Sequence, residues 1–207
     1  MRDCIFLVAD EGISAMLKGF LNRDQFHRSL QCGFFDFDNN SDVLVDANRD
    51  PGVFTRGYTL LAPYASTHRR AVVILDAEWQ GAPPAEEIAA KIVADLQPTW
   101  ASHLVVVIEP ELEAWIWQDN VHVAKEMGVD DFSTLRGELE QRGFWIEGEA
   151  KPRHPKEAVE YALRKARRPR SNAIYESIAS RVSTKHCVDP AFGRLQAGLA
   201  AWFEAEA

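Results

Sequence analysis

Three apolar runs, Cys4–Val8, Ala71–Leu75 and Leu104–Ile108, constrain this chain more than any other feature. Each is five residues long without polar alternation, which is how a strand buried on both faces reads. Stretches of helical period separate them. Buried strands alternating with helices specify βα units and a parallel sheet. The expected fold class is α/β, a mostly parallel four-stranded sheet flanked by helices.

The remaining elements follow from local signals. Met16, Leu17, Phe20 and Leu21 share one helical face after the first strand. The second strand lies in Gln31–Phe37 or in Val43–Asp46, and pattern alone does not separate them. Residues 51–64 begin with Pro51 and read as a helix. Pro83-Pro84 opens another, with Glu86 and Glu87 in its first turn and Ile88, Ile92, Val93 and Leu96 at helical spacing. His103–Ile108 is the fourth strand, and Pro110 suits the first turn of a following helix. Beyond residue 119 the pattern is helical: Ser133 is placed to cap a helix ending near Gly143, Pro155 to start one running to about Arg168. Phe192, Leu195, Leu199, Trp202 and Phe203 mark a last amphipathic helix. This divides the chain into an α/β core, 1–119, and a helical extension, 120–207, packed on it.

At 207 residues the chain can bury one well-formed core. Its apolar runs fall far short of the roughly 20 residues of a membrane span, and nothing resembles a signal peptide. The expectation is a soluble, cytoplasmic protein without a membrane partner. Cys4, Cys32 and Cys187 lack metal spacing, and Cys4, inside a strand, reads as a buried thiol. His27, His68, His103, His122 and His186 show no ligand spacing. Charge is uneven: residues 1–150 carry a net −13, residues 151–185 a net +7 and the last 22 residues −2. The acidic body repels a phosphate backbone unless cations intervene, and the basic segment either docks on that body or touches nucleic acid.

Each apolar run releases acids at its carboxyl end: Asp10 and Glu11, then Asp76 and Glu78, then Glu109, Glu111 and Glu113. Ligands of open α/β sheets gather at the carboxyl ends of the strands, and magnesium prefers carboxylate oxygens. Asp76 and Glu78 face the same side while the chain stays extended. Glu11, before Gly12, suits a third ligand or a general base. Glu111 and Glu113 also fit a plainer role, acids favoured by a helix dipole. Lys151, Arg153, His154 and Lys156 form a basic segment suited to phosphate or nucleic-acid contact, or a solvated loop. Trp115 reads as core and Trp117, on another helical face, as lining a cleft or a partner surface. Gly-rich phosphate loops, nucleophile elbows and Cys/His zinc patterns are absent from the sequence.

Glu11-Gly12 after one strand and Asp76-Ala-Glu78 after another resemble the Toprim pattern of topoisomerases, primases and overcoming-lysogenization-defect nucleases. The match is closer to a Toprim-like family linked to restriction and phage-defence loci and related to the RloB-like proteins, including accessory subunits of methylation-associated defence systems. It is carried by Val8–Gly12, Asp76–Glu78, Ile108–Trp115, Lys151–Lys156, and the segments Ile178–Val188 and Phe192–Trp202. The resemblance implies a Toprim-like sheet, a Mg²⁺ or Mn²⁺ site on Glu11, Asp76 and Glu78 completed by Glu109, Glu111 or Glu113, and nuclease-like phosphoryl transfer. Other defence-system proteins, and nucleic acid, are the implied partners. A non-catalytic scaffold or sensor subunit is the alternative. The chain departs from the pattern in carrying Ala15 where a second acid is usual and Glu78 where Asp is usual.

Overall fold

A computed structural model of the chain describes residues 1–185 and 187–204, so His186 lies outside the described residues. The apolar runs form the centre of a four-stranded sheet: β1 (Arg2–Val8), β2 (Val43–Val45), β3 (His68–Asp76) and β4 (His103–Ile108). All neighbours pair in parallel, in the order β2-β1-β3-β4, with Val8 opposite both Val45 and Ile74, and Asp76 opposite Ile108. Ile5–Val8 and Ala71–Leu75 are 0 % exposed, which requires cover on both faces and explains why these strands never alternate.

The second strand is the later of the two candidate segments. Residues 31–37 do not pair into the sheet. Phe35 instead stacks on Phe203 at 4.6 Å, and Gly33 N–H donates to the Phe203 carbonyl at 2.7 Å, so the chain's end claims this segment.

Helices α1 (Glu11–Leu21), α2 (Phe26–Leu30), α3 (Arg49–Leu61) and α4 (Ala85–Leu96) surround the strands, with a 3₁₀ turn at Ala62–Ser66. Two helices arise where Pro and acidic residues predicted them, around Pro51 and after Pro84. Helix α5 (Glu113–Ile116) starts three residues beyond Pro110, which stands in the preceding turn. Then come α6 (Val121–Met127), α7 (Phe132–Gln141), α8 (Pro155–Lys165), α9 (Asn172–Arg181) and α10 (Pro190–Trp202). Asp131, not Ser133, caps α7, its carboxylate accepting from the Ser133 and Thr134 amides. α8 ends at Lys165, short of Arg168. Trp115 is core as expected, 2 % exposed, but Trp117 lines no cleft or partner surface: it is 0 % exposed and core as well.

Helices α3 and α4 pack on each other and on the sheet, while α1 meets α10 through Phe20 and Phe192, 5.1 Å apart, and α10 reaches β4. The amphipathic reading of α1 is incomplete, because every residue except Glu11 and Lys18 is buried. Helix α9 covers its outer side, and the approach is close enough that a Cβ on Gly19 would stand 2.5 Å from the Glu176 carbonyl and 2.7 Å from Ala179 Cβ. This packing matters for function, since α9 carries one wall of the cleft at the strand ends. Among the described residues no helix is long and apolar enough to cross a membrane. All three cysteines are free, and burial pushes the Cys4 thiol up to about 12 and Cys32 up to about 11.

Candidate functional site

Strand order reverses between β1 and β3: from β1 the chain moves to β2 on one side, then returns to lay β3 and β4 on the other. The crevice beyond the carboxyl ends at such a reversal is where open α/β sheets bind ligands. A cleft of about 920 Å³ lies there. Asp10, Glu11 and Gly12 line it after β1, Asp46 and Arg49 after β2, Asp76 at the end of β3, and Glu113 after β4. Lys156 of α8, Arg170, and Tyr175 of α9 close the far side.

The cleft therefore brings together four of the acids expected at the strand ends, Asp10, Glu11, Asp76 and Glu113. It does not hold Glu78, Glu109 or Glu111. These line a neighbouring cleft of about 910 Å³ with Arg153, His154 and Lys156. Strand β3 ends at Asp76, so the extended geometry that would have aimed Asp76 and Glu78 the same way stops there. Lys156 borders both clefts, its backbone N–H donating to Glu111 Oε1 at 3.1 Å and its Nζ standing 3.6 Å from Oε2.

Lys151, expected at a phosphate, lines neither of these two clefts, and its ammonium is engaged within the chain. Its ammonium donates to the carbonyls of Ala114 at 2.9 Å and Trp117 at 2.7 Å, tying off the end of α5, and burial lowers its pKa. Much of the basic segment is likewise spent on acids of this chain: Lys165 on Glu138, Arg168 and Arg181 on Glu126, and Arg170 on Glu113.

Asp76 is a strongly perturbed carboxyl in the cleft. Its Oδ1 is buried with no hydrogen-bond partner, while the residue keeps an edge on the cleft. Desolvation first, then the neighbouring charges of Asp50, Glu113, Asp10 and Glu111, raise its pKa well above the carboxylate range. Asp50, in the first turn of α3, accepts the Asp76 backbone N–H at 2.8 Å and is itself raised by burial. Glu111 is pushed up to about 7, by burial and then by Glu113, against the opposing pull of Lys156. Asp10 is occupied as the cap of α1, accepting from the Ile13 amide at 2.9 Å. Glu11 stands exposed at the rim. Gly12 packs closely here: a Cβ would meet Asp10 Oδ1 and Leu112 Cδ2 at 3.2 Å and the Tyr175 ring at 3.3 Å.

Carboxyls held above their ordinary pKa cost stability once ionised. Their contribution is intact below the unfolded-state value and is lost as pH rises through the folded one. The parent chain is thus expected to be less stable at pH 8 than at pH 5, a span that brackets the ionisation of Glu111 at about 7, with the raised Asp76 carboxyl acting in the same direction. Asp76→Asn is expected to remove part of that loss and to stabilise the protein by about 1–2 kcal/mol at pH 8. Urea melts at both pH values check it, and an equal or larger loss in the variant would contradict the assignment.

Asp46, Asp50, Arg49, Arg170 and Tyr175 were not singled out from the sequence. Asp46 and Asp50 had a signal, since they come after a candidate strand just as Asp10 and Asp76 do. Arg170 had only the general signal of a basic segment expected to dock on the acidic body, and Tyr175 had none, because the packing of α9 on α1 brings them to the strand ends.

Among the described residues, no group of three or more His, Cys, Asp or Glu side chains is arranged to hold a metal ion. Glu113 is already satisfied, by Arg170 and by the Tyr175 hydroxyl at 2.9 Å. Magnesium typically takes only one or two carboxylates and keeps several waters, so Asp76, whose buried oxygen has no partner, in a cleft also lined by Glu11 fits that requirement without a preformed cage. Comparison with protein-family models, with curated proteins and with solved structures finds no match.

Proposed function

We propose that this chain is a Toprim-like component of a bacterial antiphage-defence system, and that its switch-point cleft carries out nuclease-like phosphoryl transfer dependent on Mg²⁺ or Mn²⁺. The observation that carries the reading is Asp76: a carboxyl at the end of a central strand, with one buried oxygen lacking a partner, among acids that raise its pKa. A divalent cation is the ligand that relieves this arrangement. The motifs shared with defence-linked Toprim-like proteins support the cellular setting.

Asp76 and Glu11 would hold the cation, which when bound supplies charge stabilisation at a phosphoryl oxygen. Arg49, Lys156 and Arg170 provide the positive wall that orients an anionic substrate, which the acidic body would otherwise repel. In the alternative role, as base rather than ligand, Glu11 at the exposed rim would accept a proton from an attacking water. Asp10 keeps Glu11 in position by capping the helix on which it sits.

Calorimetric titration with Mg²⁺ and Mn²⁺, on the parent chain and on Asp76→Asn, tests this. Binding to the parent and at least a tenfold loss in a folded Asp76→Asn are expected, the latter equal to about 1.4 kcal/mol. A parent chain that binds neither ion would sink the reading. It would favour a non-catalytic scaffold or sensor subunit, for which the commitment of Glu113 to Arg170 and Ala15 in place of an acid already speak.

A further inference from the structure

Glu113 is neutralised from outside the α/β core. Its side chain is 4 % exposed, and Arg170 pairs with Oε1. The Tyr175 hydroxyl donates to the same oxygen at 2.9 Å and accepts from Arg170 Nε at 2.8 Å. Arg170 itself is 40 % exposed, its other carboxylate neighbour being Glu160 on the surface at 3.4 Å. It can therefore leave Glu113 without disturbing the core.

Arg170 also stands where an anion would be met. It precedes Ser171 and Asn172, which open the ten-residue helix α9 and line the cleft. Ser171 makes no side-chain capping bond, so the first-turn amides of α9 lack that partner. Lys156 shares the wall. Facing it is Asp76, with its buried and unpartnered oxygen. One wall suits an anion and the other a cation, and a phosphate group accompanied by a divalent cation satisfies both.

We propose that Arg170 is a latch with two exclusive partners: Glu113 in the unliganded cleft, and a phosphate group seated at the amino end of α9 in the liganded one. Turning to the phosphate frees the Glu113 carboxylate to join Asp76 in holding the cation. A nearly buried carboxylate that stays ionised needs a counter-charge, and the cation takes that place as Arg170 leaves. Phosphate and cation then bind with positive coupling, and by linkage each tightens the other equally. The inference rests on the phosphoryl-transfer reading of the cleft.

Calorimetric Mg²⁺ titrations of the full chain, with and without orthophosphate, test it. Orthophosphate is expected to tighten Mg²⁺ binding to the parent about tenfold. Arg170→Gln is expected to bind Mg²⁺ about tenfold more tightly than the parent without phosphate, and to gain nothing further from it. Adding Glu113→Gln to Arg170→Gln should erase that gain. Tyr175→Phe keeps every charge, should shift Mg²⁺ affinity the same way by a smaller factor, and stands in if Arg170→Gln does not fold. A latch-weakened variant that binds Mg²⁺ no better than the parent, or a parent indifferent to orthophosphate, overturns the latch. If Mg²⁺ binding is nonetheless lost in Asp76→Asn, the cleft keeps its proposed chemistry and the latch alone fails. If neither the parent nor Arg170→Gln binds Mg²⁺, both proposals fall.

Discussion

Asp42→Ala is expected to destabilise the protein by about 3–5 kcal/mol at pH 7, the usual consequence of removing one member of a buried charged cluster. The Asp42 carboxylate is 0 % exposed. It accepts from Arg2, from His68 Nε2 at 3.1 Å and from the Asp38 amide at 2.7 Å, while its own carbonyl receives Phe6 N–H at 2.8 Å. One side chain thus ties the start of β1, the entry to β2 and the start of β3. Removing it strands a buried imidazole and an amide at the amino ends of three strands. Burial opposes ionisation of Asp42, but Arg2, the Asp38 amide and His68 outweigh it and hold the carboxyl below its ordinary range. A lowered carboxyl stabilises above the unfolded-state value, near pH 3.9, and that contribution is lost as pH falls through the folded one. Denaturant melts should therefore show a gap between parent and variant at pH 7 that narrows below about pH 4. A gap under about 1 kcal/mol at pH 7 would mean the cluster is replaceable.

Trp117→Ala should cost a comparable amount, about 3–5 kcal/mol, measured the same way. Its ring is 0 % exposed and meets Trp145 edge-on at 5.7 Å and Phe132 at 6.4 Å, and its indole N–H donates to the Pro155 carbonyl at 3.0 Å. Truncation opens a large void and leaves that carbonyl without its donor. Trp117→Phe keeps most of the packing and loses the hydrogen bond, and should cost about 1–2 kcal/mol. Pro155 begins α8 and is followed by Lys156, the residue bordering both clefts. The ring therefore also fixes where that ammonium stands. Equal costs for Ala and Phe would show that the hydrogen bond, rather than the volume, carries the effect.

These residues explain why the site was only partly legible. Asp10, Glu11 and Asp76 were visible because each comes directly after an apolar run, and a buried parallel strand delivers the next residues of the chain to one edge of the sheet. Glu78, Glu109 and Glu111 obeyed the same rule and went elsewhere, since a rule about strand ends says nothing of how each loop turns after the last ladder bond. Lys151 looked like a phosphate ligand by composition, yet open carbonyls at the end of α5 claimed its ammonium.

The sequence by itself determined the parallel α/β core, the three strands that never alternate, most of the helices, and the edge at which acids accumulate. Those are consequences of short-range periodicity, of proline and acidic residues at helix starts, and of the need to bury apolar strands on both faces. Only the tertiary structure decided that Val43–Val45, not residues 31–37, completes the sheet, that α9 lies on α1 against Gly19, and that Arg170 and Tyr175 thereby reach Glu113 across more than fifty residues of chain. Such contacts depend on which surfaces meet after collapse, and local spacing carries no record of a partner that far away.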